Sequence, residues 1–469
     1  MFVSRDYELK MMHDLYEINK FQMVVIYGRR RVGKTTLIKE FIKDKPAIFF
    51  SAQEANEKMN LTIFSEIVYR FFNLPTSAGV FSDWRDAFMF IAEKAKDRKF
   101  ILAIDEFPYI AEANKSVKSI LQNIIDHNLL TTGLYLILCG SQLSFMERDV
   151  LGYKSPLFGR RTAQLRIDGF DYSDAAKMLD DVSEIDKINY YACIGGTPHY
   201  LSQIDNTVSF ENNIKKLFFN PGGYLYNEPV MLLQQELREP AMYNSVITAI
   251  ASGAHRLSDI SVKIGEESSK TIKYIKTLMD LRILRKDIPF GDNPERSKKG
   301  IYKISDNCFR FWYKYVFLNK TSIEAGVGDY FADSYVFPEL PSFVGRIAFE
   351  DICMQYIINQ NKTGKLMFFT ANFGKWWGND PLLKKVADID IAADNIVEKK
   401  VLLAECKWRN EKTDLGEVKK LLEKSRLLPG YNEYYYMFFS KSPFTDAAKE
   451  LLKTNKNLVF VTLDMLFAS

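Results

Sequence analysis

Short, continuously apolar runs mark the first third of the chain: Met23 to Tyr27, residues 100–107 (FILAIDEF) and Leu134 to Gly140. Runs of this length predict strands covered on both faces, as in a parallel sheet. The segment LIKEFIK, behind the first run, has helical spacing. From residue 241 the period lengthens. NSVITAIA reads as a helix, and Leu257-Ser258-Asp259 opens a second, with Ser258 or Asp259 as its cap and Gly265 at its end. Ser268 or Ser269 caps a third helix, in which Ile272, Ile275, Leu278 and Met279 form one stripe. Ile283–Lys286 and Gly300–Ser305 predict a hairpin with Pro, Gly, Asp and Asn between its arms. A long amphipathic helix is expected from Phe343. Strict alternation then appears in VADIDIAAD and VLLAECKW, and a further helix is expected over DLGEVKKLLEKSRLL.

The first strand and its helix enclose Gly28-x-x-x-x-Gly33-Lys34-Thr35, followed by Thr36. Strand, glycine-rich loop and helix in that order form the context of a phosphate-binding P-loop. Backbone N–H groups turn toward phosphate oxygens, and the helix adds its positive end. Lys34 is expected to reach the β- and γ-phosphates of ATP, and the Thr35 hydroxyl to ligate Mg²⁺. Asp105 falls at the carboxyl end of the second strand, where ligands bind in open α/β sheets. It is expected to hold Mg²⁺ through the metal's water shell, and Glu106 to polarise the attacking water. Ser141 follows the third strand and is a candidate contact to the γ-phosphate or to the attacking water. Arg160 and Arg161 are candidates for an arginine finger, acting in cis or in trans.

The three helices and hairpin at residues 241–305 read as a winged helix-turn-helix. Lys270, Lys273 and Lys276 lie in the third helix, and Arg296, Lys298 and Lys299 in the hairpin. These cations are the candidate contacts to double-stranded DNA, with protein docking through the same module as the alternative. Farther on, Asp388 and Asp390 share one strand face, while Glu405 and Lys407 share one on the next strand. Acids on adjacent strands are costly in a core without a purpose. Asp390 with Glu405-x-Lys407 matches the PD-(D/E)xK pattern, with Glu350 as a fourth member. Their hard oxygens suit a second Mg²⁺ or Mn²⁺, and Lys407 would position or activate the attacking water.

Composition narrows the classes. The chain has 469 residues, 47% hydrophobic and 26% charged, which implies about three folded domains. No apolar run approaches the roughly 18 residues that span a bilayer, so no membrane partner is expected. MFVSRDYELK lacks the apolar stretch of a signal peptide, and the five cysteines include no CxxC pair. A cytoplasmic location is expected. The net charge of +4 neither requires nor excludes nucleic acid. The aromatic-rich block DNCFRFWYKYVFL is expected to form an interdomain joint.

The opening FVSRDYEL, the P-loop, IDEF and the later GGTPHYL together resemble the archaeal-type ATPase family of the STAND branch of AAA+-related P-loop NTPases. The resemblance covers about residues 1–235. It implies that Arg5 and Glu8 lie against the adenine end of the nucleotide and that Pro198 senses nucleotide from a helical lid. Ser4 stands where the family prefers Gly. Members often continue into a winged helix, an aromatic block and a nuclease-like domain. The expected fold is therefore a multidomain α/β chain: P-loop NTPase core (1–168), helical lid (169–235), winged helix-turn-helix (236–305), aromatic connector (306–342) and restriction-endonuclease-like α/β domain (343–469). The expected function is a Mg²⁺-dependent ATPase coupling nucleotide state to DNA binding and cleavage. The alternative is a STAND-type regulatory switch or scaffold with an inactive nuclease-like domain. For either function the further candidate partners are a second copy of the chain and a protein docked through the winged helix.

Overall fold

The computed structural model describes residues 2–75, 79–237, 239–380 and 382–468. The chain divides into two compact units, Met1–Gly169 and Phe170–Ser469.

The first unit is built on a parallel sheet of β1 (Gln22–Tyr27), β2 (Ala47–Ser51), β3 (Ile101–Asp105), β4 (Tyr135–Gly140) and β5 (Ala163–Arg166), in the order β2-β3-β4-β1-β5. Every residue of β1, β3 and β4 is buried, as their continuous apolar runs require. The edge strands β2 and β5 are only partly buried and mix polar residues into short spans, which left them without a sequence signal. One core gathers Val24, Ile26, Ala103 and Ile137 with Leu37, Ile38 and Phe41 of the helix Lys34–Ile42. Another packs Phe50 on Phe64, and Trp84 on Phe88, with ring centroids 5.3 and 5.6 Å apart.

In the second unit, short helices run from Tyr172–Ala176 to Glu228–Glu236. Between two of them the chain turns at Gly196, where a Cβ would lie 1.8 Å from the Phe170 carbonyl oxygen. The Phe170 N–H donates to the Gly196 carbonyl at 2.7 Å, so the approach admits only glycine. Helices Pro240–Ala251, Leu257–Ile264 and Ser268–Asp280 follow, then an antiparallel pair, β6 (Leu284–Asp287) and β7 (Ile301–Ile304). Val246, Ile250, Ile260, Ile275 and Leu278 form the interior of this module.

Local details differ from the pattern reading. The caps are Arg256 and Glu267 rather than a serine or Asp259, and neither cap uses its side chain. The stripe of the third helix is Thr271, Ile275 and Leu278, while Ile272 is 38% exposed. Thr271 takes that place because its hydroxyl is satisfied by the Glu267 carbonyl at 3.0 Å.

The aromatic block is helical and buried at Phe309, Phe311, Trp312, Tyr313 and Tyr315. Trp312 Nε1 donates to the Tyr226 carbonyl at 2.7 Å. Phe311 meets Phe218 on one side and Phe343 on the other, at 4.8 and 5.7 Å between centroids. The rings therefore join segments more than a hundred residues apart in sequence. Truncating one such ring to Ala costs about 3–5 kcal/mol.

After the helix Phe349–Lys362 comes a second sheet: β8 (Asn372–Asp380), β9 (Lys385–Asn395), β10 (Lys400–Lys407), β11 (Glu433–Ser440) and β12 (Leu458–Val461). Its order is β12-β11-β10-β9-β8. The pairs β8–β9 and β9–β10 are antiparallel, and β10–β11 and β11–β12 parallel. Helices Leu415–Glu423 and Asp446–Thr454 provide the crossovers that parallel strands need. The first is started by a capping box between Asp414 and Glu417. The loop after β6 reaches this sheet: the Phe290 N–H donates to the Lys375 carbonyl at 2.8 Å, and its ring joins the core with Ile389 and Leu403. Among the described residues, no helix is long and apolar enough to cross a membrane.

Candidate functional site

The loop between β1 and the helix Lys34–Ile42 closes over its own lysine. Lys34 Nζ donates to the carbonyls of Gly28 and Arg29, both at 2.9 Å. An ammonium held by carbonyl dipoles alone is free to exchange them for a phosphate oxygen. At Gly28 a Cβ would stand 2.1 Å from the carbonyl oxygen of Ile167, the residue after β5, so the loop's entry is fixed to glycine. Gly33 occupies the N-cap, and no side chain closes that helix end. The first amides thus remain available to an anion. Thr36 is exposed on the first turn.

Thr35 Oγ1 donates to Asp105 Oδ2 at 2.7 Å. Asp105 is buried at the end of β3, and its other oxygen, Oδ1, accepts the Glu106 N–H at 3.1 Å. Two hard oxygen donors from separate elements converge here, which fits Mg²⁺ held between loop and strand. Glu106 adopts a left-handed backbone, φ 53° and ψ 45°. This is a strained conformation for a non-glycine residue, of the kind found at functional sites. Its Oε2 accepts both the Ser141 hydroxyl, at 2.9 Å, and the Ser141 N–H, at 3.1 Å. Ser141 therefore holds Glu106.

Arg5 also has a left-handed backbone and lies at the start of the first helix. It pairs with Glu8 at 3.2 Å and donates to the carbonyls of Val32, in the P-loop, and Asp168, past β5. The pair thus braces the loop. Arg160 is already engaged: its Nε and Nη2 donate to the two carboxylate oxygens of Asp126 at 2.8 and 2.6 Å, and Nη1 to the carbonyls of Pro156 and Phe158. The hydrogen bond from Arg160 pulls the Asp126 pKa down. An arginine committed in this way must break a bidentate pair before it can act as a finger.

The remaining candidates lie in the second unit. Pro198 opens the helix Pro198–Leu201, behind the Gly196 turn. Lys270, Lys273, Lys276, Arg296, Lys298 and Lys299 are all exposed. Lys270 pairs with Glu266 at 3.3 Å and Lys299 with Asp292 at 3.7 Å, both as surface pairs.

Glu350, Asp388, Asp390 and Glu405 converge, but lysines bridge them. Lys375 Nζ lies 2.9 Å from Glu350, 3.7 Å from Asp388 and 3.8 Å from Asp390. Lys407 and Lys424 take the two oxygens of Glu405 at 2.5 and 2.6 Å. Burial, with Glu405 and Glu350 nearby, pushes the Asp390 pKa up, although Asp390 accepts the Cys406 N–H at 2.9 Å. Burial also raises Glu405, but Lys424 and Lys407 override it and hold the pKa low. The donor chemistry suits a divalent cation, yet the centre is filled by ammonium groups. Among the described residues, no group of three or more His, Cys, Asp or Glu is arranged to hold a metal ion. Lys375 and Lys424 were missed in the sequence. Lys375 sits in the run NFGKWWGND, where a charge between aromatic positions was the available signal.

Comparison with known proteins bears on the same two regions. Residues 2–204 match a family described as an ATPase domain predominantly from Archaea, and residues 312–420 one described as archaeal and bacterial proteins of unknown function. An uncharacterized protein of Methanocaldococcus jannaschii is 32% identical over 441 residues, 93% of this chain and 94% of that protein. An uncharacterized ATP-binding protein of the same organism is 49% identical over 45 residues, 10% of this chain and 76% of that protein. The structure of a Walker-type ATPase of Pyrococcus abyssi aligns with TM-score 0.52 at 18% identity, over 67% of this chain and 96% of that one. That likeness concerns the fold alone. With 32% identity along nearly the whole of both chains and a P-loop front matched over residues 2–204, this protein belongs to the family of its full-length archaeal relative and carries the P-loop ATPase domain found predominantly in Archaea.

Proposed function

We propose that this protein is a Mg²⁺-dependent ATP hydrolase whose nucleotide state governs its engagement of double-stranded DNA. The observation that carries the first half is the 2.7 Å hydrogen bond from Thr35 to Asp105, beside Lys34 and Glu106. In this reading Lys34 leaves its two carbonyls for the β- and γ-phosphates, and the amides after Gly33 bind the phosphate chain. Thr35 and Asp105 would hold Mg²⁺, which would supply charge neutralisation on the phosphates. Glu106, turned and held by Ser141, orients the attacking water and takes its proton. Arg5 and Glu8 brace the loop at the nucleotide's edge, and Pro198 belongs to a lid. Arg160 completes the site only if its pair with Asp126 opens. Otherwise an arginine of a second copy is required, which makes a homo-oligomer part of the proposal.

The DNA half rests on the three helices and antiparallel hairpin, an arrangement that supports a winged helix-turn-helix. Its exposed lysines and arginines would meet phosphates. The helix, three antiparallel strands, crossover helix and parallel strand of the tail support a PD-(D/E)xK-type fold. The lysine bridges across its acids favour a second reading, in which the tail regulates rather than cuts and the protein works as a nucleotide-dependent switch. The domain limits given above and a cytoplasmic location belong to the same proposal.

Phosphate release by the full chain and by Lys34→Ala tests the ATPase assignment. Hydrolysis unchanged in Lys34→Ala would refute it. Supercoiled plasmid with Mg²⁺ or Mn²⁺ separates the readings of the tail: nicking abolished by Asp390→Ala favours a nuclease, and intact plasmid favours the switch.

A further inference from the structure

The P-loop has two flanks. On the β5 side, Arg5 donates to the carbonyls of Val32 and Asp168. On the other side lies the end of β3, where Thr35 meets Asp105 at 2.7 Å. In the sheet order β2-β3-β4-β1-β5 these flanks fall on opposite sides of β1. A metal at Thr35 and Asp105 would bridge the β- and γ-phosphates, so the terminal phosphate belongs on the β3 flank.

Arg30, in the middle of the loop, is half-buried and reaches toward that flank. Its Nη2 donates to the Tyr109 hydroxyl at 3.1 Å. Tyr109 belongs to the helix Phe107–Ala113, which follows Glu106 directly, and its N–H donates to the Glu106 carbonyl at 3.0 Å. Phe107 and Pro108 are buried at the start of this helix, and a Cβ on Gly140, at the end of β4, would lie 2.9 Å from Pro108. Tyr109 is thus held firmly and sets where the guanidinium points. Among the described residues no carboxylate pairs with Arg30. Arg160, by contrast, is taken up by both carboxylate oxygens of Asp126.

A guanidinium on a phenol makes one bond from a charged donor to a neutral acceptor. A terminal phosphate offers several anionic oxygens, in the geometry that the guanidinium fork matches. Exchange of one partner for the other is favourable when a γ-phosphate is present and has no counterpart when the nucleotide ends at the β-phosphate. We infer that Arg30 is the residue by which this site tells ATP from ADP: its guanidinium rests on Tyr109 with the diphosphate and turns to the γ-phosphate oxygens of the triphosphate. The inference rests on the ATPase reading above. Because Tyr109 shares a turn with Glu106, the exchange takes place beside the acid that orients the water.

Calorimetric titration of the full chain, in Mg²⁺, with ADP and with the imido analogue of ATP tests this. Arg30→Ala should weaken the analogue about tenfold or more, and ADP less than about threefold. Arg30→Lys keeps the charge but loses the fork and should fall between; it reads the same ratio if Arg30→Ala fails to fold, which melting curves reveal. Tyr109→Phe removes only the resting partner, so the analogue should bind at least as tightly as to the unaltered chain. Equal weakening of both nucleotides by the Arg30 variants, or the same loss from Tyr109→Phe, would make Arg30 a brace of the loop and overturn the inference. An analogue-to-ADP ratio that no Arg30 variant moves overturns it too. Lys34→Ala identifies which assignment has failed. If the unaltered chain binds neither nucleotide, or Lys34→Ala binds both as well as it does, the ATPase assignment is wrong and the role of Arg30 with it. If Lys34→Ala abolishes binding while the Arg30 variants leave the ratio unmoved, only the role of Arg30 is wrong.

Discussion

The Thr35 hydroxyl and the Asp105 carboxylate, seventy residues apart in sequence, are joined by a 2.7 Å hydrogen bond. That bond sets the mouth of the first sheet, because it ties the P-loop helix to the end of β3. It is also the bond that a divalent cation would replace. Thr35→Ala and Asp105→Asn should each lower ATP hydrolysis about a hundredfold or more. Thr35→Ala should also raise the Mg²⁺ concentration needed for half-maximal rate. Phosphate release across a Mg²⁺ titration reads both effects, and an unchanged Mg²⁺ requirement would count against the metal role.

Glu106 is held in a left-handed turn by its own sequence position and by Ser141. Glu106→Gln keeps the hydrogen-bonding shape but loses the base. It should bind ATP normally while single-turnover hydrolysis slows by about 10²- to 10⁴-fold. Equal loss of binding and turnover would point to a structural role.

Arg160 and Asp126 make a prediction about pH. The folded-state pKa of Asp126 lies below its ordinary 3.8, chiefly through the hydrogen bond from Arg160. The pair therefore stabilises the fold above the unfolded value, and its contribution is lost as pH falls through the lower folded value. Asp126→Asn should be destabilising at pH 7 and neutral in strong acid, as read by denaturant unfolding at each pH. Both groups are partly exposed, so the effect should be small. If Arg160→Ala abolishes hydrolysis while Asp126→Asn preserves it, Arg160 is a finger. Matching stability losses with normal turnover would make it a brace.

Lys375 fills the space among Glu350, Asp388 and Asp390. Lys375→Met removes the ammonium while keeping much of the stem. Mn²⁺ binding to the tail, followed by electron paramagnetic resonance, should tighten about tenfold or more as the acids lose their internal partner. No change in Mn²⁺ affinity would show that the lysine does not compete with the metal.

The exposed lysines of the helix Ser268–Asp280 predict a salt effect. Lys273→Glu with Lys276→Glu should weaken duplex DNA binding at every sequence tried. The slope of log K against log[salt] should flatten by about two. Fluorescence anisotropy at several salt concentrations measures it, and an unaltered slope would remove these residues from the interface.

The nucleotide site was legible because its chemistry is local. Gly28, Gly33, Lys34 and Thr35 fall in one short stretch of loop and helix start, and β3 announces Asp105 by a fully apolar run. The partners of those residues were less visible. Ser141 reads as an ordinary strand end until Glu106 is seen turning toward it. Arg160 looked available because Asp126, thirty-four residues earlier, carries no motif. Lys375 lies on β8 and its acids on β9 and on a helix before the sheet, so only strand pairing and the packing of that helix bring them together. Ile272 fails for another reason: spacing placed it on the stripe, but Thr271 could be buried once its hydroxyl had a backbone partner.

The bond from the Phe290 amide to the Lys375 carbonyl also protects a vulnerable margin. β8 is the outer strand of its sheet, and its open side offers unpaired backbone groups near Trp376 and Trp377. An uncovered edge of that kind invites pairing with another chain. Phe290 takes up one of those groups and packs its ring at 3.4 Å from where a Cβ on Gly374 would stand. The hairpin loop is thus a guard against edge-to-edge association, and shortening it would trade a lost hydrogen bond for a tendency to aggregate.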